Sequence, residues 1–143
     1  MPIDDPAPTL CGLVASAAAA TPEVEALVDG RERLTWRDYS ARSGQLAGAL
    51  AAAGVGAGDR VGLHLPKSVH SVVAVHAIIR LGAVVVPVDW FAPTSSAAEV
   101  LRDADAKVLL SAASGNRLDE LVGCSGCDIV LDPLVDHAGD PCL

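Results

Sequence analysis

Apolar positions recur along this chain with a period that changes from segment to segment. From Thr35 onward, Tyr39, Leu46, Leu50 and Ala53 return at helical spacing, which predicts a helix laying one face on a core. Thr35 can cap that helix, with Asp38 three residues on in a box-like relation. The run "RVGLHL", Arg60 to Leu65, alternates and is short, so it reads as a strand. Pro66 ends it, and Ser68 caps a helix over about Val69 to Leu81. That helix is apolar almost all round, which predicts a position between two layers, and Gly82 is placed to end it. "AVVVPV", Ala83 to Val88, is a continuous branched run of the kind found in strands buried on both faces. Ser96 and Glu99 form a capping box for a helix to about Asp103. "KVLLS" then reads as a strand, Asn116 to Val122 as a helix, and "DIVL", Asp128 to Leu131, as a last short strand.

Upstream, residues 1–9 are rich in proline and aspartate and read as a loose start, followed by a short helix over about Leu10 to Ala19. "EALVDGRERLTW" reads as two short strands around a turn at Asp29-Gly30. After residue 36, helix and strand alternate. That alternation predicts an α/β fold, a largely parallel sheet with flanking helices. No internal repeat or long linker interrupts it, so residues 1–143 read as a single domain.

Composition narrows the function. Hydrophobic residues make up 51% of the 143, enough for a core. The net charge of -8 argues against nucleic acid and anionic membranes as partners, since both call for basic patches. Asp4 and Asp5 stand where a signal peptide would be basic, so "LVASAAAA" reads as a helix rather than a cleavage site. The longest apolar stretch, Ser68 to Val88, is interrupted by His70, His76, Arg80, Gly82 and Pro87, which predicts a buried helix and strand rather than a membrane span. Four cysteines without a secretory signal point to reduced thiols and a cytoplasmic location.

"GVGAGDRVGL", Gly54 to Leu63, has the look of a phosphate loop. Such a loop lies after a strand and before a helix, where amide groups and the helix dipole face the phosphate. Here the glycines follow a helix and precede a strand, beside exposed carbonyls and partial negative charge. They read as a turn, with Gly54 at the helix C-cap and Asp59 fixing the bend.

Two other groupings carry possible chemistry. Cys124, Cys127, His137 and Cys142 follow a C-x2-C-x9-H-x4-C spacing that can ligate zinc; the alternative is free thiols in a loop and a tail. A thioredoxin-like role fits poorly, because Cys124 and Cys127 follow a helix and precede a strand. His64, His70 and His76 are evenly spaced, but His64 falls in a strand and the other two lie six apart on a helix, so they read as surface or satisfied core histidines. Arg80 either pairs with an acid near the strand ends or solvates the end of its helix.

The order of these stretches resembles the N-terminal part of the adenylate-forming superfamily, which includes acyl-CoA synthetases and adenylation domains of nonribosomal peptide synthetases. Leu34-Thr35-Trp36-Arg37-Asp38-Tyr39, then Leu50 to Val55, then Gly58-Asp59-Arg60-Val61 resemble its first core motif and the region after it. Trp36 stands for the usual tyrosine and Asp38 for glutamate. Leu81, Gly82, Ala83, Pro87, Asp89 and Pro93 fall in place on the second motif, and "AAEVLRDADAKVLLS" resembles the next stretch. The resemblance spans about residues 10–143.

The resemblance implies an ATP-dependent, AMP-forming ligase that joins a carboxylic acid to AMP and often passes the acyl group to a thiol. ATP, magnesium and a thiol acceptor such as coenzyme A are implied for the complete enzyme. The family's phosphate loop, T-S-G-[ST]-T-G-x-P-K-G, does not occur here: Thr94-Ser95 lacks the glycines, and Lys67 and Lys107 lie outside any glycine-rich context. No catalytic or cofactor-binding residue carries over, and the tail "AGDPCL" resembles the segment just ahead of that loop. The expectation is an incomplete N-terminal subdomain, inactive alone, completed by a second chain or a C-terminal portion, and able to self-associate through uncovered apolar surface. A non-catalytic binding module of the same descent and a small zinc or thiol protein are the alternatives.

Overall fold

A computed structural model of the chain describes residues 9–30, 32–127 and 129–131. Helix α1 (Leu10–Ala20) opens on Thr9, whose hydroxyl accepts the Gly12 amide at 3.0 Å. Strands β1 (Glu25–Asp29) and β2 (Glu32–Thr35) form an antiparallel hairpin with Asp29 opposite Glu32. Gly30 in its turn has φ +57°, a conformation that glycine adopts without strain. Helix α2 (Trp36–Ala52) starts on the expected capping box: the Asp38 amide donates to Thr35 Oγ1, and the Thr35 amide donates to Asp38 Oδ2, both at 3.2 Å.

The rest alternates as predicted: β3 (Arg60–His64), α3 (Val69–Arg80), β4 (Val84–Pro87), α4 (Thr94–Asp103), β5 (Val108–Ser111), α5 (Gly115–Ser125) and β6 (Ile129–Leu131). The four later strands pair in parallel in the order β4-β3-β5-β6. Ser68 and Ser71 exchange the bonds of a second capping box at the start of α3.

Strand alternation assigns the core to two faces. Val61 and Leu63 of β3 join Val108 and Leu110 of β5 against Leu46, Leu50, Ala74 and Ile78 of α2 and α3. On the other face, Leu109 packs with Ala97, Ala98 and Leu101 of α4 and Leu121 of α5. A third cluster lies outside α2 and α3, where Val14, Leu34, Tyr39, Val69 and Val73 hold α1 and the hairpin onto the helices.

Two expectations fail. Strand β4 is not buried on both faces: it is the outermost strand on its side of the described sheet, and Val84 stays 48% exposed. The branched run reflects strand propensity, not a central position. Helix α4 does not start at a Ser96–Glu99 box either. It starts three residues earlier, with Pro93 at the N-cap and no side-chain cap bond. The proline ring presets φ, here -54°, and Pro93 O accepts the Ala97 amide at 3.0 Å, so Ser96 lies within the first turn rather than at its cap. Small boundary shifts also occur: Ala53 is the C-cap of α2 and Gly54 follows it at φ +88°.

Gly62, at the centre of β3, faces α4. A β-carbon there would lie 2.3 Å from Leu101 Cδ2 and 3.1 Å from Leu109 Cδ1, both of them on fully buried side chains. Gly62→Ala should therefore destabilise the chain by about 1–3 kcal/mol through overpacking. The double variant Gly62→Ala/Leu101→Ala should cost less than the sum of the single changes, read from urea midpoints. Strict additivity would mean that the two residues do not meet.

Candidate functional site

The parallel sheet has a switch point. Strand β3 continues through α3 to β4 on one side, while β5 continues through α5 to β6 on the other. The crevice outside the carboxyl ends of two such neighbouring strands is where open α/β sheets bind ligands. The last residues of these strands, His64 and Ser111, are register partners on the α4–α5 face.

Both are buried at the ends of strands whose other buried side chains are apolar, and both are satisfied. His64 Nδ1 lies 3.0 Å from Ser111 Oγ, which also accepts the Ala113 amide at 3.1 Å. Arg117, in the first turn of α5, brings Nη2 to 3.3 Å from His64 Nε2 and also donates from Nη2 to the Trp90 carbonyl. A guanidinium only donates, so Nε2 is the acceptor and the imidazole proton sits on Nδ1, facing Ser111. The Trp90 ring covers the cluster, with its centroid 4.8 Å from the His64 ring and 4.8 Å from Arg117 Cζ. Burial, reinforced by the Arg117 charge and opposed by Asp89, pushes the His64 pKa down and keeps the ring neutral. The arrangement is a neutral hydrogen-bond chain ending in a cation at the crevice.

Sequence reasoning placed His64 in its strand but missed Ser111, Trp90 and Arg117 as its partners. The available signal was a polar residue ending each of two apolar strands, at positions that a parallel register makes neighbours.

The glycine turn is supplied with partners from within the chain. The Gly56 amide donates to Asp59 Oδ2 at 2.8 Å, as expected of the residue fixing the bend. Lys107 Nζ donates to Gly54 O at 2.6 Å and to Asp59 Oδ2 at 3.0 Å. The turn beyond α2 thus presents a carbonyl and a carboxylate to a lysine, the reverse of a phosphate cradle. The Gly56 bond and Lys107 hold the Asp59 pKa below the usual carboxylate range. These residues do not fit a nucleotide phosphate.

The other candidates separate. Helix α5 runs to Ser125, beyond the expected end at Val122, so Cys124 lies in its last turn. Cys124 is exposed, while Cys127 is buried with Sγ 3.1 Å from Ala106 O. His137 and Cys142 lie outside the described residues. Among the described residues, no group of three His, Cys, Asp or Glu could hold a metal ion. His70 meets Glu32 at 3.1 Å, and buried His76 stacks near Tyr39 at 5.4 Å, so the three histidines have different surroundings. Burial and Arg80 push the His76 pKa down.

Arg80 pairs with no acid among the described residues and stays exposed at the end of α3. It reaches α2, where Nη1 donates to Ser40 O at 3.0 Å and to buried Ser43 Oγ at 3.4 Å, against Gly44. No helix of the described residues is long and apolar enough to cross a membrane.

A sequence profile of AMP-binding enzymes matches residues 14–141, nearly all of the chain. The chain belongs to the AMP-binding enzyme family. Among AMP-binding relatives, tyrocidine synthase 1 of Brevibacillus parabrevis is 34% identical over 115 residues, which is 80% of this chain but 11% of that protein. Among solved structures, the inhibitor-bound N-terminal domain of FACL13 from Mycobacterium tuberculosis is 26% identical with TM-score 0.78, over 85% of this chain and 32% of that one. O-succinylbenzoate coenzyme A synthetase (MenE) of Bacillus subtilis, solved with AMP, is 28% identical with TM-score 0.74, over 84% and 30%. The chain thus corresponds to roughly the first third of such a domain's length in solved form, and its fold is that of the N-terminal subdomain of adenylate-forming enzymes. On the AMP-binding fold, the second motif covers the end of α3, β4 and the Asp89–Pro93 loop that carries Trp90 into the cluster.

The buried histidines make stability depend on pH. Below about pH 6.5, the ordinary imidazole value, the unfolded chain takes up protons at His64 and His76 that the folded chain resists. Stability should therefore fall as the pH drops from about 7.5 to about 5.5, and His64→Gln should flatten that fall. Urea midpoints at the two pH values test this; an unchanged slope in the variant would show that His64 does not titrate on unfolding.

Proposed function

We propose that this chain is the N-terminal segment of an ATP-dependent, AMP-forming acyl-adenylating ligase, of the acyl-CoA synthetase or adenylation-domain type, and that it does not adenylate by itself. The observation that carries the reading is the family match over residues 14–141, joined to the absence of the phosphate-loop motif from the 143 residues. The glycine turn supports it, because its amide and carboxylate are committed to Asp59 and Lys107 contacts. ATP, magnesium and a thiol acceptor such as coenzyme A would be handled by the complete enzyme.

In this reading the segment supplies a scaffold: a parallel sheet with helices on both faces, whose carboxyl edge carries the His64 cluster. Acyl activation needs preorganised positive charge around phosphates and a carboxylate. That charge would come from the portion that completes the domain, either downstream in the same polypeptide or on a second chain.

ATP–pyrophosphate exchange tests this. The purified chain should give no exchange above background with any carboxylic acid. A chimera in which this chain replaces the aligned segment of MenE should exchange with o-succinylbenzoate, within about a hundredfold of MenE given the imperfect packing expected at a foreign interface. Exchange by the chain alone, or a folded chimera with none, would overturn the proposal.

A further inference from the structure

We infer that Phe91 and Arg117, at the carboxyl edge of the sheet, anchor the rest of the AMP-binding domain: Phe91 enters an apolar pocket of that portion and Arg117 meets one of its carboxylates. This rests on the proposed function, since it names the surface through which the segment is completed.

Phe91 is the chain's single phenylalanine, in a sequence with only 3% aromatic residues, and it is 89% exposed. It does not sit on a loose loop. Its amide donates to Asp89 Oδ1 at 3.0 Å, and the Ala92 amide donates to Asp89 O at 3.2 Å. A pinned turn therefore holds a large apolar ring in water, directly after Trp90, which closes the His64 cluster. Rigid aromatic side chains and arginines are the residue types that dominate binding energy at interfaces.

Arg117 supplies the charge. It lies in the first turn of α5, where a helix dipole disfavours a cation. Among the described residues no carboxylate comes within 4.0 Å of it, and only Nη2 has a protein acceptor. The protein carries a net charge of -8, yet among the described residues this guanidinium forms no ion pair. Trp90 holds it in place through its ring and its carbonyl. A carboxylate brought by a partner would complete it through Nε and Nη1, which donate to no acceptor among the described residues.

The occupant is suggested by the length of the solved relatives. Both faces of the sheet are covered by helices, whereas among the described residues no helix lies beyond the carboxyl ends of β3 and β5, and Val84 on β4 is half exposed. Solved relatives are about three times longer than the matched segment. The remaining two-thirds of such a domain is a protein surface of the right scale to cover this edge.

The test mixes the 143-residue chain with MenE lacking its aligned segment, supplied as a separate polypeptide, and measures binding by titration calorimetry. Wild type should bind, and Phe91→Ser and Arg117→Gln should each weaken binding about tenfold or more. Arg117→Lys, which keeps the charge, should recover part of the loss, and Val100→Ser on the exposed face of α4 should change nothing. Circular dichroism and melting of each variant control for folding; Phe91 is exposed enough that its change should leave both intact. Variants that bind as tightly as wild type would remove the anchor while leaving the proposed function standing. Failure of wild type to bind while the MenE chimera is active would also refute the anchor alone. A Phe91-dependent dimer that the MenE portion does not dissolve would assign the edge to a second copy and overturn it.

Discussion

The close approach of α4 to the centre of β3 sets the geometry of everything else in this chain. Gly62 has no side chain, so Leu101 can lie directly on the strand, with Leu109 of β5 beside it. That contact fixes the depth of the α4–α5 layer. The opposite face has full-sized residues, Val61 and Leu63, packed against α2 and α3. A sheet this small stays parallel only because both faces are covered, and the two faces are covered by different means: bulk on one, a missing β-carbon on the other. Because β3 and β5 run in register, the same alternation that points Gly62 at α4 points His64 and Ser111 to the same side, at the carboxyl ends.

Position at that edge gives the polar cluster its character. His64 is held neutral by burial and by Arg117, and its proton faces Ser111. Nothing in the cluster resembles a nucleophile activated by a base, since the imidazole nitrogen that would accept a proton already faces a guanidinium. The cluster instead fixes the Asp89–Pro93 loop against α5 through Trp90. The second family motif thereby acquires a physical role in this chain: it turns the strand end outward and presents Phe91.

Much of the fold could be read from the sequence because its signals were local. Thr35 with Asp38, Ser68, the Asp29-Gly30 turn and the alternation in Arg60–Leu65 each declare themselves within a few residues, and all appear where expected. The failures over β4 and Arg80 share one cause, whereas that over the start of α4 is local. Whether "AVVVPV" lies in the middle or at the edge of a sheet depends on strand order, which no local pattern contains. Arg80 reaching across to Ser40 depends on how two helices pack, and the start of α4 was settled by a proline ring that outweighed a plausible serine cap. The candidate site was least legible for the same reason. His64, Trp90, Ser111 and Arg117 span more than fifty residues, and only the register of β3 against β5 brings them together.

The central claim is that these residues form a folding unit organised on β3 and β5, the scaffold portion of an AMP-binding domain. Amide hydrogen exchange on the purified 143-residue chain tests it most directly. Opening free energies should be largest for the amides of β3 and β5, approaching the global unfolding value, and smaller for the β1–β2 hairpin. Exchange of the β3 and β5 amides at the rates of an unstructured peptide would contradict the account, because the sheet would then not form without the portion that completes it.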